Sequence, residues 1–162
     1  MPTIYYPGTP IAIAAYNWGV ESHINGATTQ ADIYGIFAPE ALDIGARWTT
    51  PDAGTPTYNA MKTYRNYHGN KSTFGDTSVA DAVANSDTLS AFAAQRSIDG
   101  ALPVMVVNKV LIAATPLTLP VSNFHGNCTA KVYQVSGANA GAIVPLPDMN
   151  VVANSITATL PA

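Results

Sequence analysis

The sequence predicts an α/β plus all-β chain: two β/α units, then an antiparallel β-sandwich. Three observations carry this. Before about residue 70, apolar runs alternate with segments of helical spacing. After it, short runs of alternating apolar and polar residues follow one another with no convincing helix. Turn signals separate those later runs: Asp99-Gly100, His125-Gly126, Gly137-Ala-Asn139 and Asp148-Met-Asn150.

Ile11–Tyr16 is a short apolar run after Pro10, suited to a strand buried on both faces. Thr28 or Thr29 is expected to cap the next helix, which puts Asp32 in its first turn, where a negative charge is favoured. Ile33, Ile36 and Phe37 then fall at helical spacing. Pro39 interrupts the run, so Glu40–Ile44 reads as a second short helix with an exposed Glu40 at its start. Ala46–Thr49 is a brief strand candidate. Thr55-Pro56 is a helix start, with Thr as cap and Pro at the first helical position. Tyr58, Met61 and Tyr64 or Arg65 continue that helix, and Gly69 ends it.

Asn66–Gly75 is a polar connection. The strands expected beyond it are Leu89–Arg96, Leu102–Asn108, Pro116–Val121, Thr129–Val135, Ala142–Leu146 and Ser155–Leu160. In the last, Ile156, Ala158 and Leu160 share one face, while Thr157 and Thr159 share the other. This segment is expected to pack against the Pro56 helix through Tyr58, Met61 and Tyr64, the largest apolar side chains there.

Of 162 residues, 48% are hydrophobic and 10% charged, enough apolar material for a core. The net charge of −3 supplies no basic footprint for nucleic acid. No apolar run approaches the ~18 residues of a transmembrane helix, so no membrane partner is expected. Met1-Pro-Thr-Ile-Tyr-Tyr6 lacks the pattern of a signal peptide. Cys128 is the single cysteine, which excludes an internal disulfide, and it reads as a small strand residue. His23, His68 and His125 are far apart with no zinc spacing, and no Gly-rich phosphate loop occurs. Neither metal nor cofactor is expected. His68 and His125 flank glycines as turn residues. Asn70-Lys-Ser72 and Asn127-Cys-Thr129 match the glycosylation sequon.

Two β/α units cannot close a barrel, and a parallel pair leaves strand edges and helix faces that need neighbours. The first 70 residues therefore read as the end of something larger. The strand at Ile11–Tyr16 opens into a polar, aromatic loop, Tyr16-Asn-Trp-Gly19, and then a helix. That is how a (β/α)8 barrel enzyme presents an active site at a strand's C-terminal end.

The segments Tyr16-Asn-Trp-Gly19, His23-Ile-Asn-Gly-Ala-Thr-Thr-Gln-Ala-Asp-Ile33, Arg47-Trp-Thr-Thr50, Tyr64-Arg-Asn-Tyr67, Ser72-Thr-Phe-Gly-Asp-Thr-Ser78 and Leu89-Ser-Ala-Phe-Ala-Ala94 resemble the C-terminal part of glycoside hydrolase family 44. The resemblance implies a retaining endo-β-1,4-glucanase or xyloglucanase with a (β/α)8 barrel and a β-sandwich. Residues 1–70 would be the last two β/α units of the TIM-type barrel, incomplete here, and residues 71–162 the sandwich without its last strand. It also implies secretion.

The family pattern has a nucleophilic Glu directly before Tyr-Asn-Trp-Gly. This chain has Ala15. The family's acid/base Glu belongs to an earlier strand, off this chain. Retaining hydrolysis needs two carboxyl groups about 5–5.5 Å apart. Alanine has no nucleophilic atom, so the chain alone is expected to be inactive. Glu21 is a weak substitute candidate and reads better as a rim carboxylate; Asp43 has no identifiable partner. Trp18 and Trp48, the only tryptophans, are candidate platforms for sugar rings or else barrel-mouth packing. Tyr16 could hydrogen-bond the nucleophile, and His23 could orient a loop or a sugar hydroxyl. The expected partner is a β-1,4-glucan. The alternatives are a non-catalytic β-glucan-binding module and a structural, self-associating domain, since unpaired edges predict association with itself or with the missing barrel half.

Overall fold

The computed structural model describes residues 8–123 and 128–162. A parallel pair comes first: β1 (Ala12–Tyr16) and β2 (Ile44–Arg47), each followed by a helix, α1 (Ile24–Phe37) and α2 (Pro56–Arg65). Small antiparallel sheets follow. β3 (Thr77–Val79), β4 (Leu89–Gln95) and β5 (Val104–Asn108) form one, in that order. β6 (Thr115–Pro120) pairs with β9 (Ser155–Leu160), and β7 (Thr129–Gln134) with β8 (Val144–Asn150). The described residues contain no closed barrel. The His125-Gly126 turn, the start of the second sequon and the Met1–Tyr6 reading lie outside the described residues.

β1 is not buried on both faces: Ala12, Ala14 and Ala15 are exposed, and only Tyr16 is buried. Among the described residues its one strand neighbour is β2, which leaves its other edge unpaired there. The strand pair is begun by Asp43, whose carboxylate accepts the Ile11 N–H at 2.7 Å while its own N–H donates to the Ile11 carbonyl at 2.9 Å. Asp43 thus has a partner.

α1 begins earlier than the threonines suggest. His23 is its N-cap, and His23 Nδ1 accepts the Asn25 N–H at 3.2 Å. Thr28 and Thr29 sit inside the helix, where their hydroxyls donate back to the Ile24 and Asn25 carbonyls. Asp32 is therefore mid-helix and pairs with Lys109, just past β5, at 2.7 Å. Glu40–Ile44 is not a helix. After Phe37 the chain turns, with Ala41 N–H donating to the Ala38 carbonyl and Leu42 N–H to the Phe37 carbonyl, and Ala41 holding a φ of +52°. Glu40 is exposed in that turn.

α2 starts as expected. Thr55 Oγ1 accepts the Tyr58 N–H at 3.3 Å, Pro56 follows the cap, and the helix ends at Asn66. His68 is a turn residue, its Nδ1 accepting from Asn70 N at 3.1 Å. In β9 and its partner β6 the alternation holds: Leu117 and Leu119 lie opposite Ala158 and Ile156 on the more buried face, while Thr157 and Thr159 are exposed. Asp148-Met-Asn150 is strand rather than turn, because β8 runs on through it to pair Met149 and Asn150 with Ala130 and Thr129. β6 carries Pro116 and Pro120, and β8 carries Pro145 and Pro147.

The core forms where α1, α2 and the middle sheet meet. Ala27, Ala31, Ala60, Tyr64 and Val107 are buried together, flanked by Tyr34, Phe74, Phe92 and Met105. Small residues let the backbones approach. At Gly35 any Cβ would overlap the Phe92 ring, and at Gly26 it would overlap the Val20 carbonyl and Thr57 Oγ1. The antiparallel sheet is seated mainly on α1, through β4 and β5, and less on α2. Of the α2 residues expected to make that contact, Tyr64 is in the core, its hydroxyl donating to the Ala31 carbonyl at 2.8 Å, whereas Met61 is only half-buried.

Gly35→Ala should lower stability by about 1–3 kcal/mol through overpacking against Phe92. Thermal unfolding of this variant and of Gly35→Ala/Phe92→Leu checks it. An equal loss in both would remove Phe92 as the cause.

Candidate functional site

β1 ends in an irregularity. Ala14 pairs with Ala46 and Tyr16 with Arg47, so Ala15 is an extra, bulged residue. Its φ is +58°, in the left-handed region that costs an L-residue roughly 1–2 kcal/mol. Bulges of this kind re-aim a side chain and are frequent beside active sites. The ladder resumes past it, with Trp48 N–H donating to the Tyr16 carbonyl at 2.9 Å. The carboxyl ends of both parallel strands therefore present Ala15, Tyr16 and Trp48 side by side.

A polar clasp holds the two loops that leave these strands. Arg47, with 6% of its side chain exposed, donates from Nη2 to Glu21 Oε1 at 2.5 Å and to Asn17 Oδ1 at 3.2 Å. Its Nη1 donates to the Thr49 carbonyl and hydroxyl. Thr49 Oγ1 donates to Glu21 Oε1 at 3.2 Å, and Asn17 Nδ2 donates to Thr49 Oγ1 at 3.3 Å. The Arg47 guanidinium, with help from Thr49, holds the Glu21 carboxyl below its ordinary range. The Glu21 carbonyl accepts the Thr57 N–H at 3.2 Å, which ties the same loop to the start of α2.

Beneath the loop lies an aromatic stack. The buried Tyr16 ring meets Phe37 edge-on at 5.7 Å and lies 6.2 Å from Trp18. Its hydroxyl accepts from Gln30 Nε2 at 3.4 Å; Gln30 is 1% exposed. Burial, with the Tyr16 hydroxyl nearby, holds Tyr34 well above the usual tyrosine range. Trp18 and Trp48 are 46% and 71% exposed, so their faces are open to solvent.

The strand ends thus gather Ala15, Tyr16, Trp18, Trp48 and the Glu21 loop. His23 has its Nδ1 occupied at the helix cap. Arg47, Thr49, Asn17 and Gln30 carry the geometry, and the sequence does not single them out. The available signal is Arg47 itself, a charge ending an otherwise uncharged strand. Among the described residues no cluster of three or more His, Cys, Asp or Glu could hold a metal ion. No described helix is long and apolar enough to cross a membrane.

Both loops leave the carboxyl ends of their parallel strands, the end at which (β/α)8 barrels carry their sites. No protein-family model matches the chain. Solved structures do. It is similar over 99% of its length to CelM2, a bifunctional glucanase-xylanase from a metagenome library, with 58% identity and a TM-score of 0.95. It is similar over 99% to a glycoside hydrolase family 44 xyloglucanase of Paenibacillus polymyxa, with 29% identity and a TM-score of 0.90. These matches take in 31% and 32% of those chains. Endoglucanase A of Paenibacillus lautus is 31% identical over 97% of the chain, which spans 23% of that protein. The chain corresponds to a segment of a glycoside hydrolase family 44 protein.

Two outcomes follow from this geometry. Ala15→Gly should raise the melting temperature by relieving the left-handed strain, and Ala15→Val should lower it. A ranking with Val above Gly would contradict the bulge. The depressed Glu21 pKa means its stabilisation is complete above the ordinary value of 4.5 and is lost as pH falls through the lower folded value. The protection factors of the residue 17–21 amides, measured against intrinsic exchange rates at each pH, should therefore fall below about pH 4.5, and Glu21→Gln should abolish that fall.

Proposed function

We propose that the chain is the C-terminal part of a retaining endo-β-1,4-glucanase-type hydrolase acting on cellulose-type glucans or xyloglucan. In this reading residues 1–70 are the last two β/α units of a (β/α)8 barrel, and residues 71–162 are its β-sandwich. Position 15 is where the nucleophile belongs, and the acid/base carboxyl comes from a part of the barrel outside this chain. One observation supports this most: the bulge that turns Ala15 out at the end of β1, directly before Tyr16-Asn-Trp-Gly19. Exposed Trp18 and Trp48 beside it supply flat apolar faces of the kind that stack on sugar rings. Tyr16 would orient the nucleophile from below. Glu21 serves as a loop clasp, since Arg47 and Thr49 already occupy its carboxylate. Secretion is the matching location for an enzyme of insoluble polysaccharide.

With Ala15 present the covalent step has no attacking oxygen, so the chain itself binds glucan without hydrolysing it. A glucan-binding role is favoured by the exposure of Trp48, and Trp48→Ala should weaken binding of soluble xyloglucan in affinity electrophoresis.

The deciding experiment is Ala15→Glu in the complete barrel protein. It should create a glucanase that retains anomeric configuration. Enzymatic accelerations typically exceed ~10⁶-fold, so the gain is plain in a reducing-sugar assay with product stereochemistry read by NMR. The same change in the 162-residue chain should produce nothing. A folded, substrate-binding Ala15→Glu protein without activity would refute the nucleophile assignment. Hydrolysis by the Ala15 protein would move the assignment to Glu21.

A further inference from the structure

A second concave surface lies along α2, separate from the cluster of Ala15, Trp18 and Trp48. It is a groove of 780 Å³ between α2, the turn after it and the segment leading into β8. Tyr58, Asn59 and Lys62 line it from α2, Tyr67 and His68 from the turn, and Tyr133 from β7. The floor between them is small residues, among them Gly54, Gly69, Gly141 and Ala142.

The walls are held before any ligand arrives. The Tyr67 and Tyr133 rings sit 4.8 Å apart, and the His68 ring is 4.8 Å from Tyr67. The Tyr67 hydroxyl accepts from Arg96 Nη1 at 3.3 Å. Asn59 Nδ2 donates to the Ala140 carbonyl at 3.1 Å, which pins the wall before β8 to α2. The Lys62 ammonium lies 5.9 Å over the Tyr58 ring. Three half-buried phenol rings, an imidazole and an ammonium on an open, small-residue floor combine apolar faces with directional donors and acceptors. Among the described residues no carboxylate lines the groove, and Lys62 is its one lysine, a donor that serves a hydroxyl as well as an anion. The volume is within the range of ligand sites. A hydroxyl-rich ring with an apolar C–H face suits this lining, its face against the aromatic edges and its hydroxyls toward Lys62 and His68.

We propose that this groove binds a neutral oligosaccharide, as a sugar site distinct from the strand-end site. The choice of a β-1,4-linked glucan as the ligand rests on the function proposed above; the sugar chemistry of the groove does not.

The test is residue-resolved NMR shift mapping of the chain with cellohexaose, in its unaltered form and as Trp48→Ala. Perturbation of Tyr58, Tyr67 and Tyr133 that persists in Trp48→Ala is the expected result. Tyr133→Ala should weaken that binding roughly three- to tenfold, the worth of one aromatic contact. Should Tyr133→Ala fail to fold, mapping on the unaltered chain still decides. Shifts confined to Trp18 and Trp48 overturn the groove and leave the proposed function standing. Shifts at neither place overturn the groove as a glucan site and the glucan binding of the chain itself, while Ala15→Glu in the complete protein still decides the hydrolase.

Discussion

The close seating of α1 between α2 and the β4–β5 sheet is the constraint on which the rest depends. It requires residues without bulk: Gly26 under Val20 and Thr57, Gly35 under Phe92, and Ala27, Ala31 and Ala60 in the shared core. The two glycines weaken the helix in isolation, because glycine gives up the most backbone freedom. α1 therefore holds its shape through packing. It also sets the site, because the loop from β1 must end where α1 begins, at His23, and the chain must return from its far end to start β2 at Asp43. Lys109 bonded to Asp32 adds a polar tie between that helix and the end of β5.

Over this frame, Arg47 turns two loops into one unit. A guanidinium can donate in several directions at fixed angles, and here it reaches Asn17, Glu21 and Thr49 at once. Lysine would supply the charge without the planar fork. The position of Trp18 relative to Trp48 is consequently a property of a polar network, with Tyr16 and Gln30 fixing it from beneath.

Much of the architecture is legible in the sequence. The Thr55-Pro56 helix start, the run of strands after residue 70 and the alternation in β9 follow from local chemistry, and the fold obeys it there. The start of α1 is not legible, because the capping residues expected from propensity, Thr28 and Thr29, are outcompeted by a histidine. Its ring nitrogen serves as acceptor while Gly26 lets the first turn slide under Val20. Glu40–Ile44 departs from its helical pattern because the return to β2 is imposed by pairing of Asp43 with Ile11, a partner 32 residues away. In the site, the resemblance to family 44 points to position 15 and its aromatic neighbours. The left-handed backbone there, and the clasp around Arg47, depend on strand register and on side chains from two separate loops. No single stretch of sequence contains that information.

The prolines of β6 and β8 carry a consequence for how this protein behaves at high concentration. Pro116 and Pro120 are four residues apart, and Pro145 and Pro147 are two apart, so within each strand both face the same hydrogen-bonding edge. The partner strands β9 and β7 occupy the other edge. The outward edge of each strand is therefore short of N–H donors, and an incoming strand finds little there to template on. β1 has no such protection: Ile11-Ala-Ile-Ala-Ala15 is proline-free. Aggregation resistance is thus unevenly distributed along the chain, built into the antiparallel sheets by ring chemistry and left at β1 to whatever surface covers that strand.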